Sequence, residues 1–257
     1  MRFGICTAPE NAGILAELGY DYVECAITPL AAMEQSAFEE TRQRVLASPL
    51  RCEAGNLFLP GSCRVTGEAA DFDAAIAHLR VAIPRFAALG GQVAVFGSGG
   101  ARAVPEGWPM EKAMEQLAEF CRLAGDVCAE NGVRVAIEPL NRKECNIINS
   151  VKEGVALAEM ASHPSVGVLA DWYHVAAENE GTGGILCAGA RLWHCHIAKP
   201  GGREYPAGKD GAAASYAEFF GALRAIGYGG RISVEGRGEP EADGKAALMA
   251  MRENAKD

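Results

Sequence analysis

The sequence predicts an α/β chain closed into a single-domain (β/α)8 TIM barrel, and three observations carry that prediction. Short β-rich runs alternate with longer amphipathic segments along the whole chain, the pattern of a parallel sheet. Eight such runs occur, and their starts recur at intervals averaging roughly 30 residues, one βαβ unit each. A length of 257 residues suits eight units closing on themselves better than an open sheet. A doubly wound nucleotide-binding sheet would need a glycine fingerprint in its first βα turn, where "CTAPENAG" stands instead. With no linker, low-complexity tract or tandem repeat, residues 1–257 read as one domain.

The elements follow in order. "RFGIC" (2–6), "DYVECAI" (21–27) and "RCEAGNL" (51–57) are the first three strands. The helical "AIAHLRVAIPRFAALGG" contains Pro84, which should kink or split it. "QVAVFG" (92–97) is the fourth strand. In "PMEKAMEQLAEFCRLAGDVCAENG", Met110, Met114, Leu117, Cys121, Ala124 and Cys128 mark one buried face, and Gly132 is the stop. "VRVAIE" (133–138) is the fifth strand, and "SVKEGVALAEMA" opens with a capping box of Ser150 and Glu153. Strands "VGVLAD" (166–171) and "LWHCHI" (192–197) come next. "SYAEFFGALRAIGYGG" repeats the box with Ser215 and Glu218, carries a stripe of Tyr216, Phe219, Phe220, Leu223 and Ile226, and stops at Gly227. "RISVE" (231–235) is the eighth strand.

Composition bounds the function. Apolar residues make up 49% of the chain, enough for a large core. A net charge of −9 argues against nucleic acid, whose phosphates need a basic surface. "MRFGICTAPENAG" lacks the basic and apolar regions of a signal peptide, and no apolar run approaches the roughly 18 residues of a membrane span. The nine cysteines are odd in number and include no C-x-x-C pair, which fits buried thiols in a reducing cytoplasm.

In a barrel the active site lies at the C-terminal ends of the strands. Reading those ends in the second half gives Glu138, Asp171, His196 and Glu235. One glutamate at a strand end is commonly a solvated rim residue, and one histidine in "WHCHI" a hydrogen-bonded core residue. Four consecutive strands each delivering a ligand type to one rim is a different matter, and predicts a metal site. Three carboxylates and an imidazole form a hard, oxygen-rich set suited to one divalent ion, Mn2+ or Mg2+, with Co2+ or Zn2+ as the remaining candidates. His194 shares a strand face with His196 but lies deeper, and is expected to support rather than ligate. Glu24 and Asn56, at the ends of the second and third strands, either face the pocket or make rim hydrogen bonds. "FGSGG" (96–100) reads as a tight turn before it reads as an anion cradle. Arg237 stands where barrels often hold phosphate.

The segments "IEPLNRKE", "LADWYH", "HCHIAKPGGREYPAGKDG" and "GYGGRISVEGR" closely resemble the xylose isomerase-like sugar phosphate isomerase/epimerase superfamily, nearest to ketose 3-epimerases of the tagatose and psicose type. The resemblance is strong over residues 130–237 and general before them. It implies that Glu138, Asp171, His196 and Glu235 hold the metal and that Glu144, His174 and Arg203 contact substrate. The implied reaction is proton transfer next to the carbonyl of a sugar or sugar phosphate through a metal-stabilised enediolate, with Glu138 and Glu235 as the base and acid. Return of the proton to the other face of the same carbon gives epimerisation, and return to the neighbouring carbon gives isomerisation.

The same apparatus serves a dehydratase of the inosose or dehydroshikimate type, acting on a polyol-derived ketone. Hydroxypyruvate isomerase is a further alternative, although those relatives often carry Gln at the position of His196. An apurinic endonuclease would need more histidines and a basic groove than this chain offers. A non-catalytic sugar-binding barrel would not need both glutamates. A homo-oligomer stays open.

Overall fold

In the computed structural model, which describes residues 1–208 and 211–256, eight parallel strands close a barrel in sequence order. They are β1 (Arg2–Cys6), β2 (Tyr22–Ala26), β3 (Cys52–Asn56), β4 (Val93–Phe96), β5 (Arg134–Ile137), β6 (Val166–Asp171), β7 (Leu192–Ile197) and β8 (Arg231–Val234). Closure comes from β8 pairing with β1, Arg231 beside Arg2 and Val234 beside Ile5. The eight runs predicted from sequence are these eight strands, four trimmed by a residue at both ends and the last by one at its C-terminal end. Glu138 and Glu235 therefore sit one residue beyond β5 and β8.

Helices cover the outside. Pro84 does not split its helix, which runs as one element over Phe72–Ala88, and Asp71 caps it by accepting from the Ala74 N–H at 2.9 Å. Met110–Glu130 buries Leu117, Cys121, Ala124 and Cys128 as expected, and Gly132 stops it with φ of 69°. Met110, expected on the buried face, is exposed. Val151–Ala161 starts on its predicted box, where Ser150 Oγ accepts from the Glu153 N–H at 3.2 Å. The Glu153 carboxylate reaches one residue further back than a standard box, to the Asn149 N–H at 2.6 Å.

The second box is a correction. Helix Ala213–Ala225 begins two residues before Ser215, so Ser215 lies inside the first turn. Its Oγ accepts instead from the Trp172 indole N–H at 2.7 Å, tying this helix to the segment after β6. The stripe Tyr216, Phe219, Phe220 and Leu223 is buried as predicted, with Ile226 packed at its edge.

The main apolar core lies between barrel and helices, and a small separate cluster of Val93, Val95, Ala136 and Leu169 is contributed by β4, β5 and β6. Polar side chains fill the opposite half of the lumen. Tyr22 Oη meets Ser233 Oγ at 2.8 Å, and buried Glu24, His194 and His196 stand above them. At the N-terminal mouth Glu53 accepts from both Arg2 and Arg231. A barrel that excludes water can hold these charges only because each is paired. Among the described residues no helix is long and apolar enough to cross a membrane.

Candidate metal centre and active site

Glu138, Asp171, His196 and Glu235 converge at the C-terminal rim, with ligand atoms all within 4.8 Å of one another. Each arrives by a different local device. The Glu138 N–H continues the ladder to Phe96 O at 3.1 Å, and Pro139 then turns the chain away. Its carboxylate needs Gly97 beside it, since a Cβ there would lie 2.2 Å from Oε2. Asp171 ends β6 and caps Trp172–Ala177, taking the Tyr173 N–H on Oδ1 at 2.9 Å. Its buried Oδ2 has no hydrogen-bond partner among the described residues. Glu235 receives the Asn56 amide at 3.3 Å and the Arg203 guanidinium at 2.7 Å.

His196 stands at the centre. Its Nδ1 is 3.0 Å from Glu138 Oε1 and 3.5 Å from Glu235 Oε2, while Nε2 is 2.9 Å from Glu24 Oε1. The other oxygen of Glu24 takes His194 Nε2 at 2.7 Å. Of the two rim residues left open by the sequence, Asn56 faces the site, and Glu24 lies inside the barrel beneath it. His194 is the supporting residue expected, acting through Glu24.

The electrostatics follow from this packing. Burial works against charge on His196, but Glu24 and Glu235 outweigh it and hold the imidazole protonated well above the ordinary histidine range. Burial alone would raise Glu235, yet His196 and Arg203 bring it down to about 2. Burial pushes Asp171 up to about 6 despite the nearby His174. A buried carboxylate oxygen that accepts no hydrogen bond among the described residues, facing three other ligand atoms, is suited to a cation. The residues present fit a divalent ion.

The residues expected to meet substrate stand around this centre. Arg203, in the left-handed region with φ of 58°, lies over the Tyr173 ring at 4.8 Å and bridges Glu235 to Glu144, 3.1 Å away. His174 Nδ1 accepts the Asn141 backbone N–H at 3.2 Å, so its hydrogen resides on Nε2. That Nε2 is buried, has no hydrogen-bond partner, and lies 3.4 Å from Asp171 Oδ2. Asn141 also donates to Glu144 at 2.9 Å, fixing two of these groups at once. Sequence reasoning gave Asn141 no role, although it lies inside the quoted "EPLNRKE"; a carboxamide flanked by catalytic-type residues was the available signal.

Two other sequence candidates resolve differently. "FGSGG" turns from β4 directly into the short helix Gly99–Arg102: Ser98 adopts φ of 31° and its Oγ takes the Leu59 N–H at 2.9 Å. Arg237 clasps the loop after β7, donating to Gly202 O and to Glu204 Oε1 at 3.3 Å. Lys209 and Asp210, part of the "HCHIAKPGGREYPAGKDG" segment, lie outside the described residues. Beside the centre, a cavity of about 450 Å³ is lined by Cys6, Pro9, Leu30, Met33, Asn56 and Leu57 among others.

Known proteins resemble this chain in sequence and in fold. An L-ribulose 3-epimerase from Methylomonas sp. (strain DH-1) is 33% identical over 126 residues, 49% of this chain and 42% of that protein. A D-psicose 3-epimerase from Ruminiclostridium cellulolyticum is 32% identical over 131 residues, covering 49% and 40%. Each alignment thus spans less than half of the relative's own length. The crystal structure of a D-psicose 3-epimerase with D-tagatose from Clostridium cellulolyticum H10 superposes with a TM-score of 0.86 at 22% identity, covering 100% of both chains. Residues 13–254 match the model of the xylose isomerase-like TIM barrel family, and to that family this chain belongs.

Proposed function

We propose that the protein is a divalent-metal-dependent sugar epimerase that moves a proton at the carbon next to a ketose carbonyl. The observation that carries this reading is the convergence of Glu138 and Glu235 on one imidazole, beside Asp171, within 4.8 Å. The two curated relatives described above are ketose 3-epimerases, which supports the reading.

Glu138, Asp171, His196 and Glu235 would hold the ion, and this hard set favours Mn2+ or Mg2+. Such an ion supplies Lewis-acid polarisation of the carbonyl and compensates the negative charge that develops on deprotonation. The chain's own groups do the rest. Glu138 and Glu235 each have two carboxylate oxygens, so each can face the ion with one and the substrate C–H with the other. One glutamate takes the proton and the other returns one to the opposite face, inverting the carbon. His174 presents its Nε2–H to a substrate oxygen, because Asn141 holds the opposite ring nitrogen. Arg203 and Glu144 bind the neighbouring hydroxyls as donor and acceptor.

Among the described residues, Glu10 is the one charged side chain that lines the adjoining cavity.

Solvent labelling tests the proposal. Wild-type protein with Mn2+ and a ketose in D2O should place deuterium at the epimerised carbon. Glu138→Gln and Glu235→Gln should each lower turnover by about 10²–10⁴-fold while an amide oxygen keeps some metal binding at raised Mn2+. Turnover with no label in product would remove the two-glutamate route. Release of water from the ketone instead of inversion would replace epimerisation with dehydration.

A further inference from the structure

The turn after β4 carries a group that the reaction scheme above does not use. Arg102 is fully buried, the largest such side chain among the described residues, and none of their carboxylates hydrogen-bonds to it. Its Nη1 donates to Phe96 O at 2.9 Å and its Nη2 to Glu138 O at 2.6 Å. The guanidinium lies over the Phe96 ring, 5.6 Å from its centroid. Its Nε is buried without a partner. Burying a full positive charge on two backbone carbonyls is expensive when a neutral side chain could fill the same space. The carbonyls it holds are those of the last residue of β4 and of Glu138 itself.

We propose that Arg102 is a positioning residue for Glu138, fixing this carboxylate's place at the metal centre through its backbone carbonyl. The inference rests on the reading of Glu138 as metal ligand and acid–base group. Two further contacts make the placement tight. Gly97 lets the Glu138 carboxylate pass where a Cβ would stand 2.2 Å from Oε2. The short helix bearing Arg102 is held from above by the loop after β3, with the Val65 N–H on Ala101 O at 3.0 Å and Thr66 Oγ1 on Arg102 O at 3.1 Å. Pro139 follows Glu138 and contributes no N–H, so the Glu138 carbonyl is the group left to anchor at this turn. A guanidinium, planar and permanently charged, can hold two carbonyls at a fixed spacing. It also places a positive charge behind a site that gathers several carboxylates.

The test compares Arg102→Met and Arg102→Lys with a control of similar structural cost. Phe120→Leu serves as that control: its ring is buried 5.2 Å from Phe96, outside the contacts to Glu138. All proteins are loaded with Mn2+ and measured at a temperature at which each remains folded. The expected result is a Mn2+ Kd raised at least tenfold in Arg102→Met, a changed Mn2+ electron paramagnetic resonance spectrum, and a lower kcat with a nearly unchanged KM. Arg102→Lys should recover part of each effect, because it keeps the charge and one donor. Phe120→Leu should lower Tm and leave Kd and the spectrum as in wild type. Wild-type Kd, spectrum and kcat in folded Arg102→Met would overturn the proposal. Equal changes in Phe120→Leu would overturn it too, by showing that general loosening suffices. If Arg102→Met does not fold, Arg102→Lys decides by the same criteria. Failure of the wild type to bind Mn2+ or to exchange deuterium is a different result, and falls on the reading of the site.

Discussion

His196 meets carboxylates on both sides, and that arrangement assigns the tautomer it would need as a metal ligand. A metal ligand must offer a lone pair, and the nitrogen facing Glu138 and Glu235 is Nδ1. The opposite nitrogen then carries hydrogen and donates it to Glu24 Oε1 at 2.9 Å. A carboxylate behind a ligating imidazole orients the ring and raises its basicity, and loss of such a partner costs about 10–100-fold in metal affinity. Glu24→Gln should therefore weaken Mn2+ binding by that range, read by titration. Unchanged affinity in the folded variant would show that packing alone sets the ring. Arg203 makes the contrasting case. It pairs with Glu235 at 2.7 Å and so competes with a cation for that carboxylate. Arg203→Ala should raise KM for the ketose severalfold and leave Mn2+ affinity unchanged or slightly tighter. A parallel loss of metal binding would place Arg203 among the groups that shape the ion's position.

At the scale of elements, the capping patterns show what local sequence can and cannot specify. Ser150 caps Val151–Ala161, and Ser150→Ala should cost about 1 kcal/mol, seen as a lower Tm with Mn2+ affinity unchanged. No loss of Tm would mean that the Glu180 carboxylate, which also takes the Val151 N–H at 3.0 Å, suffices alone. Ser215 shows the same S-x-x-E pattern and does not cap, because the helix starts two residues before it; its hydroxyl takes the Trp172 indole N–H instead. Periodicity was enough to find all eight strands, and a ligand-type residue at the end of each of β5 to β8 was enough to find four side chains that converge at the rim. These features are local or repeat with the unit. Glu24, Asn141 and Arg102 act through partners 33 to 172 residues away, and no local pattern encodes those contacts. The same holds for Pro84, tolerated inside Phe72–Ala88.

For the whole molecule, the gathering of carboxylates at one rim makes stability depend on pH in opposite senses with and without metal. In the metal-free protein Glu24 and Glu235 raise His196 above its unfolded value, so its contribution is present below about pH 6.5 and is lost as pH rises through the folded value. Asp171, raised to about 6 by burial, acts in the same direction: the fold is strained by its ionised form and relieved as pH falls. Glu235, held at about 2, contributes in full above the usual carboxylate range, loses that contribution as pH falls toward 2, and changes nothing between pH 6 and 8. Metal-free protein should therefore gain stability from these groups as pH falls from 8 to 6. Metal binding reverses the slope, because His196 and Asp171 must both release their protons to ligate. Saturation at 100 times Kd stabilises by about 2.7 kcal/mol, and at fixed Mn2+ this gain shrinks as Kd weakens on acidification. Thermal unfolding with excess chelator and with fixed Mn2+, at pH 6 and pH 8, should show a larger metal-induced rise in Tm at pH 8. Calorimetry in buffers of different ionisation enthalpy should record proton release on binding near neutral pH. An equal rise in Tm at both pH values, with no proton release, would mean that His196 is already neutral in the metal-free site, and Glu24 would then be an acceptor only.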